Sequence, residues 1–333
     1  MNKEISLKAL CIWRNYNSIK KVNKRYYKTI KEIFILFLII IIFISKLSLF
    51  YKSKFRPTTR VCLCLIAKNE NKYIVEFLDY YKNYGIDKII LYDNNDINGE
   101  KFEDIIGYYI KIGFVDIVYY KEVKSPQISA YNDCYKNNKI YFDWLIFFDI
   151  DEFIYLKDFN NIKLFLDDKR FFKCERIQLN YVYHTDNNLI YYDNRTVLER
   201  FPEIYRNRNK KKIWHRSNFK SIIRGNNKNI KIVNPHYLSL NLQSCNGFGK
   251  KTSIRHLHTL NIDFEYYYLN HYFSKSVEEF IEKIMKTDVF YTKDIKIKKI
   301  RKYFEYNKIT KEKLDFIENK TKLELFEFKE KIK

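Results

Sequence analysis

The chain has 333 residues, with 62 Lys and Arg against 40 Asp and Glu, a formal net charge of +22, and it is 46% hydrophobic. This is enough for one large domain or two small ones, and an aromatic content of 18% excludes a disordered chain. Only 7 Gly and 4 Pro exclude collagen-like and linker proteins and argue against Gly-rich phosphate loops. The charge leaves a nucleic-acid-binding protein as a hypothesis, although Lys and Arg are spread along the chain rather than grouped with aromatic residues.

The N-terminal region has the pattern of a membrane anchor. Nine Lys or Arg stand against two Glu in residues 1–32, and residues 33–44 are apolar without a break. We therefore predict a basic segment, a transmembrane anchor at 33–51 and a short stem at 52–60. A buried core helix or a cleaved signal peptide is the alternative, but the first would carry a polar face and the second a small-residue cleavage site. The basic residues before the anchor favour a cytoplasmic N-terminus, the type II orientation, in a compartment that the sequence leaves open.

The six cysteines form no CxxC pair and define no disulfide framework. Cys62 and Cys64 lie two residues apart on a predicted strand, which suits small hydrophobic side chains on one buried face. We expect mostly free thiols.

From residue 61 onward, strand patterns alternate with helix patterns. Short apolar runs typical of buried parallel strands alternate with amphipathic segments, at 61–67, 70–84, 88–92, 102–112, 114–119, 126–137 and 144–148. Four strands and three helices make a βαβαβαβ unit, whose right-handed crossovers give a parallel, doubly wound sheet.

The pattern after this unit is less regular. Residues 171–240 have the composition of strands and loops, and residues 270–286 have the pattern of a helix. We predict that the α/β domain extends over 61–290 and that a charged helical tail occupies 291–333.

Two aspartates follow the fourth predicted strand. Asp149 and Asp151 stand at the carboxyl edge of the sheet, where doubly wound proteins bind ligands, and Asp93 after the second strand falls at the same edge. Carboxylates are hard oxygen ligands for Mn²⁺ or Mg²⁺, and such an ion neutralises a diphosphate leaving group. The alternative is a polar strand end that makes turn hydrogen bonds.

Several segments, in one order along the chain, resemble glycosyltransferase family 92, the family with the DUF23 signature and a GT-A fold. The resemblance covers residues 61–287 and rests on Ala67-Lys68-Asn69-Glu70, Leu91-Tyr92-Asp93-Asn94, Gln127 with Ala130 and Asn132, Phe148 to Phe153, Leu198 to Phe201, Phe219 to Ile223, Val233 to His236, and Leu269 to Phe280. It implies an α/β, GT-A-like, mostly parallel sheet. It also implies an inverting transferase that uses a nucleotide sugar, often UDP-galactose, with Mn²⁺.

The resemblance also implies roles for individual residues. Asp149 and Asp151 would hold the metal and the nucleotide. GT-A enzymes often add a His to the metal, and we favour His236, which follows Pro235, over His271. The other donor-binding candidates are Asn69, Glu70, Asp93, Asn94, Gln127 and Asn132.

Two further roles follow from the chemistry of the reaction. Lys220 lies on a presumed strand, where it would contact the pyrophosphate or, alternatively, belong to a solvated face. Inversion requires a general base for the acceptor hydroxyl. We rank Asp186 first because of its place in a presumed acceptor loop, with Glu199 second. A turn-capping role is the alternative for Asp186.

The sequence therefore predicts a single-pass membrane protein that moves a hexose, with galactose as the first choice, from a nucleotide sugar to a glycan or glycoconjugate acceptor. Mn²⁺ or Mg²⁺ is the expected cofactor, and the membrane is an expected partner whereas nucleic acid is not. The alternatives are a basic RNA- or DNA-binding protein and a catalytically inactive carbohydrate-binding membrane protein.

Overall fold

The chain divides into two units, residues 1–58 and 59–333. In the first unit residues 30–43 form helix α1. Within the described ranges no helix is long and apolar enough to cross a membrane. Residues 44–51 of the predicted anchor and residues 52–58 of the predicted stem are not among the described residues. The computed structural model describes residues 28, 30–43, 59–121, 123, 126–205, 218–226, 230–239, 242–252, 263–286, 293–323 and 325–329.

The second unit is a mixed α/β domain with a central sheet, and its first half follows the prediction element by element. The elements are β1 (Val61–Ala67), α2 (Asn71–Asn83), β2 (Lys88–Asp93), α3 (Glu103–Lys111), β3 (Val115–Tyr119), α4 (Pro126–Asn138) and β4 (Trp144–Phe147). The predicted βαβαβαβ unit is thereby confirmed.

The remainder of the unit is shorter strands and helices. They are β5 (Glu152–Leu156), α5 (Ile162–Leu166), a 3₁₀ turn (Lys169–Phe171), β6 (Arg176–Tyr183), α6 (Val197–Arg200), β7 (Phe219–Arg224), β8 (Ser244–Asn246), β9 (Lys251–Thr252), β10 (Tyr267–His271), α7 (Val277–Lys286), α8 (Lys293–Tyr306), α9 (Lys311–Thr321) and α10 (Phe326–Lys329). The helix predicted over 270–286 is therefore wrong in its first part, which is the end of β10 and a loop.

The main sheet has the strand order β3-β2-β1-β4-β7-β6-β10-β5, and β8 and β9 extend it from β6. Its first four strands are parallel, as predicted. Beyond β4 the sheet is mixed, since β7 runs antiparallel to both β4 and β6, and β10 antiparallel to β5. The predicted parallel arrangement therefore holds throughout the part with helical crossovers, whereas beyond β4 antiparallel pairs occur beside the parallel pairs of β6 with β10 and with β8. Antiparallel neighbours do not need the long crossover connections that parallel ones do.

The surroundings of strand β1 explain why its sequence is apolar at every position. Alternate side chains point to opposite faces, so Leu63 and Leu65 enter the core that α2 covers, and Cys62 and Cys64 enter the core that α4 covers. All four side chains are fully buried. Burial on both faces fixes the strand at the centre of the sheet and places its carboxyl end beside that of β4.

Four cysteines form disulfides, so the prediction of mostly free thiols is wrong. Cys64 pairs with Cys134 across a Cα–Cα distance of 6.2 Å, joining β1 to α4, and Cys174 pairs with Cys245 across 5.8 Å. Cys62 is buried and free. The partners are 70 and 71 residues apart in sequence, and the sheet topology alone brings them together.

The segment predicted as a charged tail is packed into this unit. Ile300 and Tyr303 of α8 and Leu314 and Ile317 of α9 are buried, and they share an apolar core with Phe280 of α7. The charged residues of this segment therefore cover one face of helices whose other face is apolar.

A buried ion pair holds α7 in place. Arg200 donates to both carboxylate oxygens of Glu279, at 2.6 and 3.0 Å, and Tyr73 of α2 donates to the same carboxylate at 2.8 Å. Burial alone would raise the pKa of Glu279, but hydrogen bonds from Arg200 and Ser276 lower it to about 2. One carboxylate thus ties together α2, α6 and the start of α7.

The Glu279 carboxylate makes the stability of the fold depend on pH. Its pKa falls from 4.5 to about 2 on folding, so it stabilises the protein above pH 4.5 and the effect is lost as the pH falls toward 2. We expect Glu279→Gln to lower the free energy of unfolding at pH 7 by about 3 kcal/mol. The variant should also show a flatter loss of stability between pH 4.5 and 2, measured by urea denaturation.

The control is Glu282→Gln, because Glu282 of α7 forms an exposed pair with Lys72. We expect that substitution to cost less than about 1 kcal/mol. A Glu279→Gln protein that loses stability with acid as steeply as the wild type would contradict the assignment.

Candidate active site

A cleft of about 230 Å³ opens at the carboxyl ends of β1 and β4. The Asp149–Glu152 turn forms its floor, and this turn is tight because the Glu152 N–H donates to the Asp149 carbonyl at 3.0 Å and the Asp149 N–H to the Glu152 carboxylate at 2.9 Å. Predicted residues from three parts of the sequence meet here. The lining residues are Ile66, Ala67, Lys68, Glu70, Gln127, Asp149, Ile150, Asp151, His271 and Lys283.

Asp149 is held by a network behind the cleft. Its carboxylate accepts hydrogen bonds from Gln127 at 2.9 Å and Tyr131 at 3.1 Å, and it pairs with Lys220 at 2.9 Å. Burial would raise the pKa of Asp149, but the charge of Lys220 lowers it. Lys220 is fully buried on β7, 3.6 Å from Glu152, and does not line the cleft. The structure thus makes Lys220 the counter-ion of the floor rather than the predicted pyrophosphate contact.

Asp151 carries the second carboxylate of the floor and is 3% exposed. Lys283 Nζ lies 3.0 Å from one oxygen, and His271 Nε2 lies 3.6 Å from the other. Burial would raise the pKa of Asp151, but Lys283 and His271 hold it well below its usual range. The cleft therefore presents an ionised carboxylate at neutral pH.

The donor set beside Asp151 fits a divalent ion. One ligand atom from each of Asp151, Glu152 and His271 lies within 4.8 Å of the others. The Nδ1 atom of His271 is buried and has no hydrogen-bond partner among the described residues. Carboxylate oxygens with an imidazole suit Mn²⁺ and related ions.

His236, the histidine favoured from sequence, is outside this group. Its Nδ1 lies 3.2 Å from the carbonyl oxygen of Phe219, and its ring is 6.1 Å from that of Tyr181. Burial, helped by the charge of Lys220, lowers the pKa of His236 to about 4. Of the two histidines left open by the sequence, His271 is the one that lines the cleft.

The loop after β2 carries buried polar atoms that lack partners. Asp93 accepts the backbone N–H of Asn95 at 2.9 Å, and Asn95 in turn accepts the N–H of Asn69, whose φ is 56°. The second carboxylate oxygen of Asp93 lies 3.5 Å from Lys121 Nζ. Within the described ranges that oxygen, Asn94 Oδ1 and Asn95 Nδ2 are buried and accept or donate no hydrogen bond. Such orphaned atoms are rare in folded proteins and are normally satisfied by water, an ion or a polar ligand.

Asn132, predicted to bind the donor, has a structural role. Its side chain donates to the Ile232 carbonyl and accepts the Ile232 N–H, both at 2.8 Å. It therefore fastens a loop to α4, and it does not line the cleft.

The two predicted bases are also structural. Asp186 is buried, accepts a hydrogen bond from Tyr303 and pairs with Lys313 at 2.5 Å, so it anchors a turn to α8 and α9. Glu199 accepts the Thr196 N–H at 3.0 Å and completes the capping box of α6. Neither carboxylate lines the cleft, and the turn-capping alternative describes Asp186 correctly.

Sequence reasoning missed three polar residues of this region. Asn95 directly follows Asn94, which was predicted. Lys275 Nζ lies 3.6 Å from Glu70, and Lys283 reaches Asp151. Lys275 lies inside a segment that resembles the family, and this was a signal by which it could have been found. Lys283 had none, because its partner is 132 residues away.

The comparisons with known proteins point to a transferase family. The family model described as glycosyltransferase family 92 matches residues 58–322. No curated protein is significantly similar to the chain in sequence.

Among solved structures, chains of S. aureus TarS are similar at low identity. TarS 1-349 in complex with UDP-GlcNAc has a TM-score of 0.39 at 13% identity and covers 79% of each chain. TarS 1-349 has a TM-score of 0.36 at 12% identity, over 69% of this chain and 64% of TarS. Its complex with UDP has a TM-score of 0.29 at 14% identity, over 38% and 36%. In the last two comparisons the chain thus spans less than two thirds of its relative.

The match to the family model covers most of the chain, including every residue that lines the cleft. The chain belongs to glycosyltransferase family 92.

Proposed function

We propose that this glycosyltransferase is a membrane-anchored, metal-dependent and inverting enzyme. It transfers a hexose, with galactose as the first choice, from a UDP-sugar to a glycan acceptor. The observation that carries the proposal is the cleft in which ionised Asp149 and Asp151 lie beside His271. It occupies the carboxyl edge of a parallel strand pair, the position at which α/β sheets bind nucleotides.

A divalent ion, Mn²⁺ or Mg²⁺, fits the group of Asp151, Glu152 and His271. When bound, it supplies positive charge to the diphosphate leaving group. The protein's own contribution is to keep Asp149 and Asp151 ionised and fixed. Lys220 balances the buried negative charge, and Gln127 orients Asp149.

The loop after β2 suits a nucleoside. Uracil and ribose present donors and acceptors in a fixed arrangement, and Asp93, Asn94 and Asn95 offer buried polar atoms of both kinds. The Asp93 carboxylate oxygen is an acceptor for a ribose hydroxyl. This supports the predicted donor-binding roles of Asn69, Asp93 and Asn94.

Inversion is a single displacement at the anomeric carbon. The acceptor oxygen forms the new C–O bond, the bond to the diphosphate oxygen breaks, and a base takes the hydroxyl proton. Glu70 is the lining carboxylate outside the Asp149–Glu152 turn. Burial raises its pKa although Lys275 opposes the shift, which suits a base as well as the predicted nucleoside contact.

Aromatic rings beside His271 support a glycan acceptor. The ring of Tyr183 lies 5.3 Å from that of His271 and stacks on Tyr306 at 4.5 Å, and Phe273 lies 6.0 Å from His271. Tyr183, Phe273 and Tyr306 are only partly buried. Pyranose rings present apolar C–H faces that pack on such rings, so this group is a place for the acceptor sugar.

The N-terminal pattern and the disulfides support a type II orientation. The basic residues 1–32 precede the apolar run 33–44, which favours a cytoplasmic N-terminus. Two disulfides in the transferase unit favour an oxidising compartment on the other side of the membrane.

Donor turnover tests the proposed reaction. We expect the full chain in detergent with Mn²⁺ to release UDP fastest from UDP-galactose, compared with UDP-glucose and UDP-GlcNAc. Asp151→Asn should lower the rate by at least about 100-fold, because a ligand of the ion is lost. NMR of the transferred sugar should show the anomeric configuration opposite to that of the donor.

The control for donor turnover is Asp116→Asn, since Asp116 is exposed on β3 and should not affect the rate. Unchanged turnover in Asp151→Asn would rule out the site, and a retained configuration would rule out inversion.

The two histidines provide a test of the ligand set. His271→Ala should weaken Mn²⁺ binding by about tenfold or more, whereas His236→Ala should leave it within about twofold. Electron paramagnetic resonance of unbound Mn²⁺ measures both. The reverse order of effects would restore the sequence-based choice of His236.

The aromatic group predicts a selective effect on the acceptor. A panel of simple glycosides first identifies an acceptor. Tyr306→Ala should raise the KM for that acceptor by about tenfold, because a stacking surface is lost. Donor hydrolysis should not change. The control is Tyr191→Ala, because Tyr191 is an exposed tyrosine that makes an edge-to-face contact with Phe316 away from the cleft. An equal effect of both variants would remove Tyr306 from the acceptor site.

Non-reducing peptide mapping of the protein extracted from cell membranes tests orientation. We expect linked peptides for Cys64–Cys134 and Cys174–Cys245, with Cys62 as a free thiol, because the unit matures in an oxidising compartment. Carbonate washing should leave the protein with the membranes. Alkylation of every cysteine without reductant, or release by carbonate, would contradict the proposal.

A further inference from the structure

Helix α7 and the loop before it bring two lysines to acidic residues of the cleft. Lys283 Nζ lies 3.0 Å from a carboxylate oxygen of Asp151, and Lys275 Nζ lies 3.6 Å from Glu70. Asp151 and Glu70 both line the cleft. The C-terminal part of the fold therefore supplies cations to a site whose acidic groups come from the loop after β1 and the Asp149–Glu152 turn.

The start of α7 is anchored by buried contacts, whereas the Lys283 side chain, farther along the helix, reaches solvent. Glu279, one helical turn earlier on α7, is locked by Arg200 and by Tyr73, and it caps the helix through the Ser276 N–H at 3.0 Å. The Lys283 side chain itself is 47% exposed. Its ammonium group can therefore change partner while the helix stays in place.

Two cations compete for the same carboxylate. Asp151 belongs to the group that fits a divalent ion, and the carboxylate also pairs with Lys283. An ion that binds Asp151 weakens the attraction between that carboxylate and the ammonium. The displaced ammonium remains tethered beside the cleft, with three N–H donors available for phosphate oxygens.

We propose that Lys283 is an exchangeable cation, which pairs with Asp151 until a divalent ion takes that carboxylate and then binds the diphosphate of the nucleotide sugar. This inference rests on the proposed function. It makes Lys283 a donor-binding residue that acts on the diphosphate. It also couples donor binding to the ion, because the lysine is released for the diphosphate only when the ion is bound.

Two binding constants of Lys283→Met test this proposal, because they should move in opposite directions. Mn²⁺ alone, titrated calorimetrically into the full-length protein, should bind about threefold to tenfold tighter than to the wild type, since a competing ion pair is lost. UDP titrated in saturating Mn²⁺ should bind about tenfold more weakly, because a charge-assisted hydrogen bond is lost. Lys283→Arg should recover UDP binding.

The matched control is Lys72→Met, which removes a positive charge from an exposed pair with Glu282, the neighbour of Lys283 on α7. It should change neither constant. Unchanged constants in Lys283→Met, or a loss of both Mn²⁺ and UDP binding, would overturn the exchange. If the wild type itself binds neither Mn²⁺ nor UDP, the proposed function fails first.

Discussion

The structure depends on the compensation of negative charge in one tight turn. Asp149, Asp151 and Glu152 stand within four residues; Asp151 and Glu152 are buried, and Asp149 is partly buried. Carboxylates so close together repel one another, and burying them is costly unless cations are placed against them. Burial raises the pKa of Glu152 even against the charge of Lys220, whereas Asp149 and Asp151 remain below their usual range.

The compensating groups come from distant parts of the chain. Lys220 approaches from β7, His271 from β10 and Lys283 from α7. The mixed half of the sheet and the C-terminal helices therefore do more than enlarge the core, because they place two lysines and an imidazole around the acidic turn. The buried pair of Arg200 and Glu279 fixes α7 for the same purpose. Inside a chain of net charge +22, this acidic turn is the chemically distinctive feature.

The first half of the fold could be predicted from the sequence because it is encoded locally. Strands such as β1 are apolar at every position because they are buried on both faces, and helices such as α2 carry their apolar residues on one face. The position of Asp149 and Asp151 followed from the end of β4. The second half depends on pairings over long separations, such as Cys174 with Cys245, which leave no local pattern.

The difference between local patterns and long-range pairings also explains the wrong predictions at the site. Asp186 and Asn132 have the residue types of catalytic or ligand-binding groups, but their partners Tyr303 and Ile232 are 117 and 100 residues away. Sequence cannot distinguish a side chain that is satisfied by such a partner from one that faces a cleft. Likewise, His236 and His271 differ only in which of them the sheet brings beside Asp151.

Anomalous diffraction from crystals of the protein grown with Mn²⁺ and UDP tests the central claim most directly. The account predicts a manganese peak bound by Asp151 and His271, with the diphosphate of UDP on the ion and the nucleoside in the loop of Asp93. Ordered UDP elsewhere on the protein, or a manganese ion held by groups outside this cleft, would contradict it.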